Sequence, residues 1–109
     1  MNYKYTPRNN WGSSLWEFIH TISCFDDITL VKEKLTNIKN VIPCEKCIQH
    51  YNNYLKLMDD YIKKYKEIPL FYWSVDVHND VNRRIGKRII GYEEAKNKWL
   101  NKEIYKYKK

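Results

Sequence analysis

Long apolar runs are missing from this chain of 109 residues. No stretch approaches the roughly 18 apolar residues of a transmembrane helix, so we expect no membrane span. The first residues carry neither the apolar segment of a signal peptide nor an Arg-rich transit sequence, so we expect no targeting signal. Strand-like alternation and internal repeats are also missing, which leaves helical patterns to account for the fold.

Cysteine is scarce, with three residues in the chain. Three cysteines are too few for a disulfide-dense scaffold. Two of them, Cys44 and Cys47, have the C-x-x-C spacing that suits a catalytic or metal-binding role. We expect the third, Cys24, to be a small buried apolar side chain at the end of the first helix. An intermolecular disulfide is the alternative for Cys24.

Basic residues exceed acidic ones by 20 to 13, a net charge of +7, and 43% of the residues are hydrophobic, enough for one compact core. This length predicts one domain over residues 11–100, between a polar tail at 1–10 and a basic tail at 101–109. The lysines concentrate in the basic tail, where they indicate a solvated segment or a weak patch for acidic partners. Arginine is sparse and no predicted helix has a basic face, so we do not expect nucleic acid as a partner.

Helical periodicity describes the first half of the chain. Ser14 to Glu17 has the form of a capping box and predicts the start of the first helix. Asp26 or Asp27 can cap a second helix. That helix has an apolar stripe at spacings of three and four residues, which can serve the core or a dimer interface: Ile28, Val31, Leu35, Ile38 and Ile42.

The second half predicts three more helices. The third carries the two cysteines and runs to about Met58, followed by a charged connection over residues 63–69. The fourth starts near Leu70 and ends at Gly86, a natural residue after a helix. The fifth is short, from Tyr92 to about Leu100. The expected fold is all-α, a four-helix bundle with a short fifth helix.

The C-x-x-C pair stands at a helix start. Pro43 precedes it, and proline is well placed before or inside the first helical turn. Cys47, Ile48 and Tyr51 then fall on one helix face. A thiol near a helix N-terminus lies in the positive end of the helix dipole, which favours the thiolate. The pattern therefore predicts a reactive dithiol.

Polar residues interrupt the apolar stripe of the fourth helix. His78, Asn79 and Asn82 fall within five residues, and buried imidazole or amide groups need hydrogen-bond partners. A lone histidine there is usually a satisfied core residue, whereas three such residues favour a set of groups aimed at a polar ligand. Trp16 and His20, four residues apart, share one face of the first helix, where core packing is the simpler interpretation.

Three motifs in order carry a resemblance to a known family. They are Gly12-x-x-x-Trp16-x-x-x-His20, Cys44-x-x-Cys47-x-x-His50-Tyr51 and His78-Asn79-Asp80-Val81-Asn82-x-x-Ile85-Gly86-Lys87. Together they resemble the Erv/ALR family of FAD-linked sulfhydryl oxidases, and the third motif is the most specific. The small size resembles the minimal members carried by large DNA viruses, for which the compartment would be the host cytoplasm or the virion.

The resemblance implies a helical bundle with FAD at one end, and a homodimer. It implies a thiol oxidase whose dithiol protein substrate, or a thioredoxin-like relay protein, exchanges with the Cys44–Cys47 disulfide. Cys44 would match the outer cysteine and Cys47 the inner one beside the flavin, with oxygen as the acceptor and hydrogen peroxide as the product. It also implies a set of cofactor-binding residues: Gly12, Trp16, His20, His50, His78, Asn79, Val81, Asn82, Lys87, Lys98 and Trp99.

The chain departs from the family pattern at several positions. Ser13 stands where members often have arginine, and Ile42 stands where many cellular members have tyrosine. Ile90-Gly91-Tyr92 replaces a Phe-Asp-Cys segment, so the disulfide that would hold the last helix is missing. No second C-x-x-C pair is present, so substrates or a relay protein would reach Cys44 directly.

A zinc site is the alternative function. Cys44, Cys47, His50 and His78 could form a tetrahedral set of four ligands. This alternative leaves Trp16 and the two asparagines of the third motif without a role. Flavin absorbance in the purified protein would support the oxidase, whereas stoichiometric zinc in a colourless protein would support the alternative.

Overall fold

A computed structural model describes the backbone of residues 8–100 and the side chains of residues 11–100. This part of the chain is helical and contains no strand. The helices are α1 (Arg8–Ser23), α2 (Ile28–Asn37), α3 (Glu45–Leu55), α4 (Met58–Lys64), α5 (Pro69–Arg84) and α6 (Tyr92–Trp99), with a 3₁₀ turn (Ile38–Asn40) after α2. The predicted all-α class is confirmed. No helix among the described residues is long and apolar enough to cross a membrane.

Helix α5 is the centre of the bundle, and it packs on α1, α2, α4 and α6. One face of α5 contributes Leu70, Trp73 and Val77 to the main core, where they meet α1, α2 and α3. Another face places Phe71 and Val75 in a second cluster, formed with the end of α1 and with α6. Since α5 belongs to both clusters, its position determines where the outer helices can pack.

The apolar stripe of the second predicted helix belongs to the core. Val31, Leu35, Ile38 and Ile42 are all buried in the main cluster. Asp27 is the cap of α2, and its carboxylate accepts a hydrogen bond from the backbone N–H of Leu30 at 3.0 Å. Four residues of the stripe therefore serve the core of the chain, which is the first of the two roles that the sequence left open.

The predicted start of the first helix is wrong. Helix α1 begins at Arg8, so Ser14 lies inside it and residues 8–10 of the predicted polar tail are helical. The carboxylate of Glu17, the expected capping partner, instead accepts a hydrogen bond from Nε1 of Trp99 at 3.3 Å. A contact 82 residues away in sequence thus replaces the local one that the pattern predicted.

The predicted third helix corresponds to α3, which ends at Leu55, near the expected end at Met58. Helix α4 was not predicted, and it includes two residues of the expected charged connection. The carbonyl of Tyr54 accepts hydrogen bonds from the Trp73 indole at 2.8 Å and from the N–H of Leu57 at 3.0 Å. These bonds tighten the turn and interrupt the regular helical ladder at this carbonyl. Helix α4 then starts afresh at Met58, with two aspartates in its first turn.

The end of the fourth predicted helix is confirmed at Gly86. Helix α5 ends at Arg84, and Gly86 follows with a φ of 76°, a left-handed conformation that glycine adopts without strain. The N–H of Lys87 bonds to the carbonyl of Asn82 at 2.8 Å, as in a Schellman motif. At the other end of α5, Pro69 occupies the first turn.

A half-buried carboxylate joins α4, α5 and α6. Oδ2 of Asp76 accepts hydrogen bonds from the hydroxyls of Tyr61 at 2.5 Å and Tyr92 at 2.7 Å. Burial and the adjacent carboxylate raise the pKa of both phenols. Both tyrosines are therefore neutral donors at physiological pH, and α6 is held by this contact without a disulfide.

Replacing Asp76 with alanine should lower the free energy of unfolding by about 1–2 kcal/mol, because two phenol donors lose a charged acceptor. Urea denaturation measures this change. Asp59→Ala is the matched control, since Asp59 pairs with Lys32 on the exposed surface at 2.8 Å. That variant should change the stability little, because an exposed ion pair is screened by solvent. Equal losses in the two variants would contradict a special role of Asp76.

Candidate functional site: a disulfide beside an apolar cavity

The two cysteines of the C-x-x-C motif form a disulfide at the start of α3, with Cα atoms 5.2 Å apart. Cys44 is the N-cap residue, which confirms the prediction that the pair opens a helix. The N–H of Cys47 bonds to Sγ of Cys44 at 3.2 Å. The Cys44 sulfur therefore lies at the positive end of α3, where a backbone donor stabilises negative charge that develops on it.

A mainly apolar cavity of about 280 Å³ lies against this disulfide, with walls from α1, α3 and α5. Six residues predicted from the motifs line the cavity: Gly12, Trp16, Cys44, Cys47, His50 and Val81. A concave apolar site with aromatic walls and a few polar groups is typical of a small-molecule or cofactor site.

The cavity also has walls outside the predicted set of cofactor-binding residues, although two of them, Tyr51 and Ile85, belong to the quoted motifs. Trp11 and Tyr51 add aromatic surface, and Tyr54, Arg84 and Ile85 complete the lining near the ends of α3 and α5. Tyr54 lies seven residues after Cys47, so helical spacing alone could have placed it on the cysteine face. Arg84 likewise follows the motif residue Val81 by three. Trp11 directly precedes the first motif and carried no other signal.

Tyr54 and Arg84 are joined through Asp80 at the edge of the cavity. The Asp80 carboxylate accepts hydrogen bonds from the Tyr54 hydroxyl and, at 2.5 Å, from the Arg84 guanidinium, which also bonds to that hydroxyl. Burial, followed by the bond to Asp80, raises the pKa of Tyr54 to about 12. A neutral phenol and an internally paired arginine therefore border the site.

Four aromatic rings stack beside the cavity. The rings of Trp16 and His78 are nearly parallel, with centroids 4.0 Å apart and an interplanar angle of 7°. His20 lies behind them, with its centroid 5.2 Å from that of His78 and 4.0 Å from that of Trp99. Of the four rings only Trp16 lines the cavity. The fully buried His20 does not, so its predicted contact with a ligand stays a prediction, as do those of His78 and Trp99.

Both histidines of this stack are held neutral. Burial, with smaller contributions from His78 and Lys98, lowers the pKa of His20 to about 3. Burial also lowers the pKa of His78 to about 4, with added contributions from Lys98 and Lys87. The two lysines are exposed, and Nζ of Lys98 lies 4.9 Å from the centroid of the Trp99 ring. The stack thus combines neutral rings with a positive rim that can attract an anion.

The two asparagines of the third motif contact the chain that follows α5. Nδ2 of Asn79 donates to the carbonyl of Ile90 at 2.7 Å, and Oδ1 accepts from the N–H of Ile90 at 3.0 Å. Asn82 donates to the carbonyl of Arg88 at 3.3 Å. Both side chains therefore orient the segment before α6. Their predicted contacts with a ligand stay predictions, as do those of the exposed Lys87.

The zinc alternative is not supported. In residues 11–100, no three His, Cys, Asp or Glu side chains are arranged to hold a metal ion. Cys44 and Cys47 share a disulfide, whereas zinc binds thiolates. Nδ1 of His78 is hydrogen-bonded to Nε2 of His20 at 3.0 Å, so this nitrogen already has a partner.

Lowering the pH should destabilise the protein through His20. The unfolded chain takes up a proton near the ordinary histidine pKa of about 6.5, whereas the folded chain does so only near 3. Between these values the unfolded state binds more protons, so stability falls as the pH falls. We expect a loss of about 2 kcal/mol from His20 between pH 7 and pH 5. Urea denaturation across this range measures it.

A His20→Asn variant should lose the part of the pH dependence that His20 contributes and keep the part that the half-buried His78 contributes, whereas His50→Asn should keep both because His50 lies outside the ring stack. If the stability of the wild-type protein is flat between pH 7 and pH 5, His20 is not held neutral by burial.

Comparison with known proteins agrees with the site geometry. The model of the Erv1/Alr family matches residues 13–100. A "FAD-linked sulfhydryl oxidase" of African swine fever virus is 30% identical over 95 residues, which cover 81% of this chain and 78% of the viral protein. A "Probable FAD-linked sulfhydryl oxidase R368" of Acanthamoeba polyphaga mimivirus is also 30% identical over 95 residues, covering 78% of this chain and 65% of that protein.

A plant relative, "FAD-linked sulfhydryl oxidase ERV1" of Arabidopsis thaliana, is 26% identical over 99 residues, and this chain spans 51% of its length. No solved structure is significantly similar to the chain. The family match covers the cysteine pair, the ring stack and α5 together, and the chain belongs to the Erv1/Alr family.

Proposed function

We propose that the chain is an FAD-linked sulfhydryl oxidase that forms disulfides in dithiol protein substrates. The observation that carries this proposal is the Cys44–Cys47 disulfide, which lies directly against an apolar cavity with aromatic walls. A disulfide in that place can exchange with a thiol on one side and contact a flat acceptor on the other. The names of the viral and plant relatives support the same activity.

The residues around the cavity suit FAD. Trp11, Trp16 and Tyr51 supply flat surfaces for an apolar ring system. The lysines at 87 and 98 are close enough to lower the pKa of His78, and they offer point charges to a diphosphate. When bound, FAD supplies the electron acceptor that returns the dithiol to the disulfide and passes two electrons to oxygen, giving hydrogen peroxide.

Exchange at Cys44 requires no group beyond this chain and its substrate. A substrate thiolate attacks Sγ of Cys44, the Cys44–Cys47 bond breaks, and the electron pair leaves on the Cys47 sulfur. The second substrate thiol then attacks the mixed disulfide at the substrate sulfur and releases the Cys44 thiolate. The substrate is oxidised by two electrons, and the cysteine pair is reduced by two.

The N-cap position of Cys44 assists the second step. The N–H of Cys47 and the dipole of α3 stabilise the departing Cys44 thiolate, and a thiol of lower pKa leaves faster. Cys47 is set one turn further into α3, where it lines the cavity. Both sulfurs border the cavity, so the stabilised Cys44 thiolate is the observation that supports Cys44 as the exchanging sulfur and Cys47 as the one that passes electrons inward.

The partners that we propose are a dithiol protein, or a thioredoxin-like relay protein, together with oxygen and a second copy of the chain. Three large apolar side chains on α1, on α2 and in the segment that joins them are 39–52% exposed and are candidates for a dimer surface: Phe18, Phe25 and Leu30. The viral relatives make the host cytoplasm or the virion the compartment that we propose.

Purified protein should be yellow, with the absorbance of a bound flavin, and should oxidise dithiothreitol with formation of hydrogen peroxide. The Cys47→Ser variant should retain FAD and lose essentially all of this turnover, because the electron path from Cys44 to the flavin is interrupted. Absorbance spectra and a peroxide assay measure the two properties separately.

Cys24→Ser is the matched control for this substitution. Cys24 is buried in the second cluster, where its thiol donates to the carbonyl of His20 at 3.2 Å. A hydroxyl can make the same bond, so activity should stay close to the wild-type value. Full turnover by Cys47→Ser, or a loss in Cys24→Ser as large as the one expected for Cys47→Ser, would overturn the assigned roles.

A further inference from the structure

A buried chain of hydrogen bonds runs from the backbone of α5 to the face of His78. The hydroxyl of Ser74 donates to the carbonyl of Phe71, with 2.6 Å between the oxygens. Nδ1 of His20 lies 2.9 Å from that hydroxyl oxygen, and Nε2 of His20 lies 3.0 Å from Nδ1 of His78. Ser74 and His20 have no exposed surface, so water cannot replace any partner at these two residues.

In this chain of hydrogen bonds, the donor in each bond is determined by the donor in the bond before it. A serine hydroxyl has a single hydrogen, and the Phe71 carbonyl can only accept, so the Ser74 oxygen must accept from Nδ1 of His20. The reverse order would leave two oxygen acceptors facing each other at 2.6 Å. His20 therefore carries its proton on Nδ1.

Because His20 is neutral, the position of the proton on His78 follows as well. With one proton on Nδ1, a neutral His20 has a lone pair on Nε2, so Nδ1 of His78 must donate to it. His78 is neutral as well, and its own Nε2 is left with a lone pair. No buried side-chain nitrogen or oxygen in residues 11–100 lacks a hydrogen-bond partner. The partly exposed ring of His78 makes no hydrogen bond through Nε2 to those residues, so this nitrogen is open to a ligand.

We propose that Ser74 and His20 are positioning residues that hold the proton of His78 on Nδ1, so that Nε2 presents a hydrogen-bond acceptor to the bound cofactor. This inference rests on the proposed function for the identity of the ligand. It requires an N–H or O–H group of the cofactor to face His78, and it disfavours a carbonyl or phosphate oxygen at that place. His20 then acts through His78 without touching the ligand itself.

Long-range nitrogen–proton correlation spectra of the histidine rings test the proton positions directly. They are recorded on the purified full chain, in whichever flavin state it is isolated. We expect a protonated Nδ1 and an unprotonated Nε2 for both His20 and His78. A protonated Nε2 on either ring would overturn the proposal.

Ser74→Ala removes the acceptor at the start of the chain. His20 should then move its proton to Nε2 and donate to Nδ1 of His78, so that the proton of His78 moves to Nε2. Ser23→Ala is the matched control, because Ser23 is also buried and donates to a backbone carbonyl at 2.6 Å, that of Ile19, without contacting a histidine. The control should leave both rings unchanged. Unchanged rings in Ser74→Ala would overturn the role of Ser74.

The affinity for FAD tests whether Nε2 of His78 accepts a hydrogen bond from the cofactor. Fluorescence titration of FAD should show roughly tenfold weaker binding to Ser74→Ala, because the protonated Nε2 of His78 then faces a donor group of the cofactor. Binding to Ser23→Ala should not change. A hypoxanthine analogue of FAD replaces the adenine amine with a carbonyl. Weaker binding of this analogue to the wild type assigns the donor to the amine, and equal binding assigns it to a hydroxyl of the cofactor.

The outcomes separate this inference from the function on which it rests. If Ser74→Ala shifts the protons but binds FAD as tightly as the wild type, the acceptor role of His78 is wrong and the oxidase stands. If the wild type shows the expected protons but binds no flavin and forms no peroxide, the proposed function is wrong and the proton order stands.

Discussion

The contact between α1 and α5 depends on His20, whose imidazole is fully buried and must find both of its hydrogen-bond partners inside the protein. It finds them on α5, in Ser74 and His78. An unmet polar group at such a position costs about 1–3 kcal/mol, so the two helices are restricted to one register. That register stacks Trp16 on His78 and leaves the cavity between α1, α3 and α5.

Two carboxylates on α5 set the remaining helices around this contact. Asp76 holds tyrosines from α4 and α6, and Asp80, one turn later, holds Tyr54 from α3. Phenols that stay neutral because of their burial make these bonds without placing a second charge in the interior. The same helix therefore carries the ring stack on one side and the attachments of α3, α4 and α6 on others.

Most of the helices, and the cysteine pair at the centre of the site, were predictable from local patterns. The stripe of α2, the caps at Asp27 and Gly86, and the cysteine pair at a helix start all depend on spacing within a few residues. The errors arose where distant contacts override local ones. Trp99 bonds to the expected capping carboxylate of Glu17, and the Trp73 indole bonds to the carbonyl at which α3 ends.

The roles within the site were less accessible to sequence. In the sequence, His78 and Asn79 look alike as polar interruptions of one apolar stripe, and His20 looks like a packing partner of Trp16. In the structure, His20 is a buried link between Ser74 and His78, Asn79 bonds to the backbone of Ile90, and His78 is a partly exposed ring. Periodicity reports the face of a helix but not the partner that a side chain meets there, so only the packed chain distinguishes them.

The absence of a structural disulfide among the described residues has a consequence for a protein whose own disulfide must open in each cycle. Cys24 forms no disulfide, and the redox pair is separated by only three positions in sequence. A crosslink that closes so short a loop removes little chain entropy from the unfolded state, so opening it should change stability little. Helix α6 is attached through Asp76, Asn79 and Glu17, none of which is sensitive to reduction. The attachments of the last helix to the bundle therefore do not depend on the oxidation state of the cysteine pair, and opening the Cys44–Cys47 bond leaves these contacts in place.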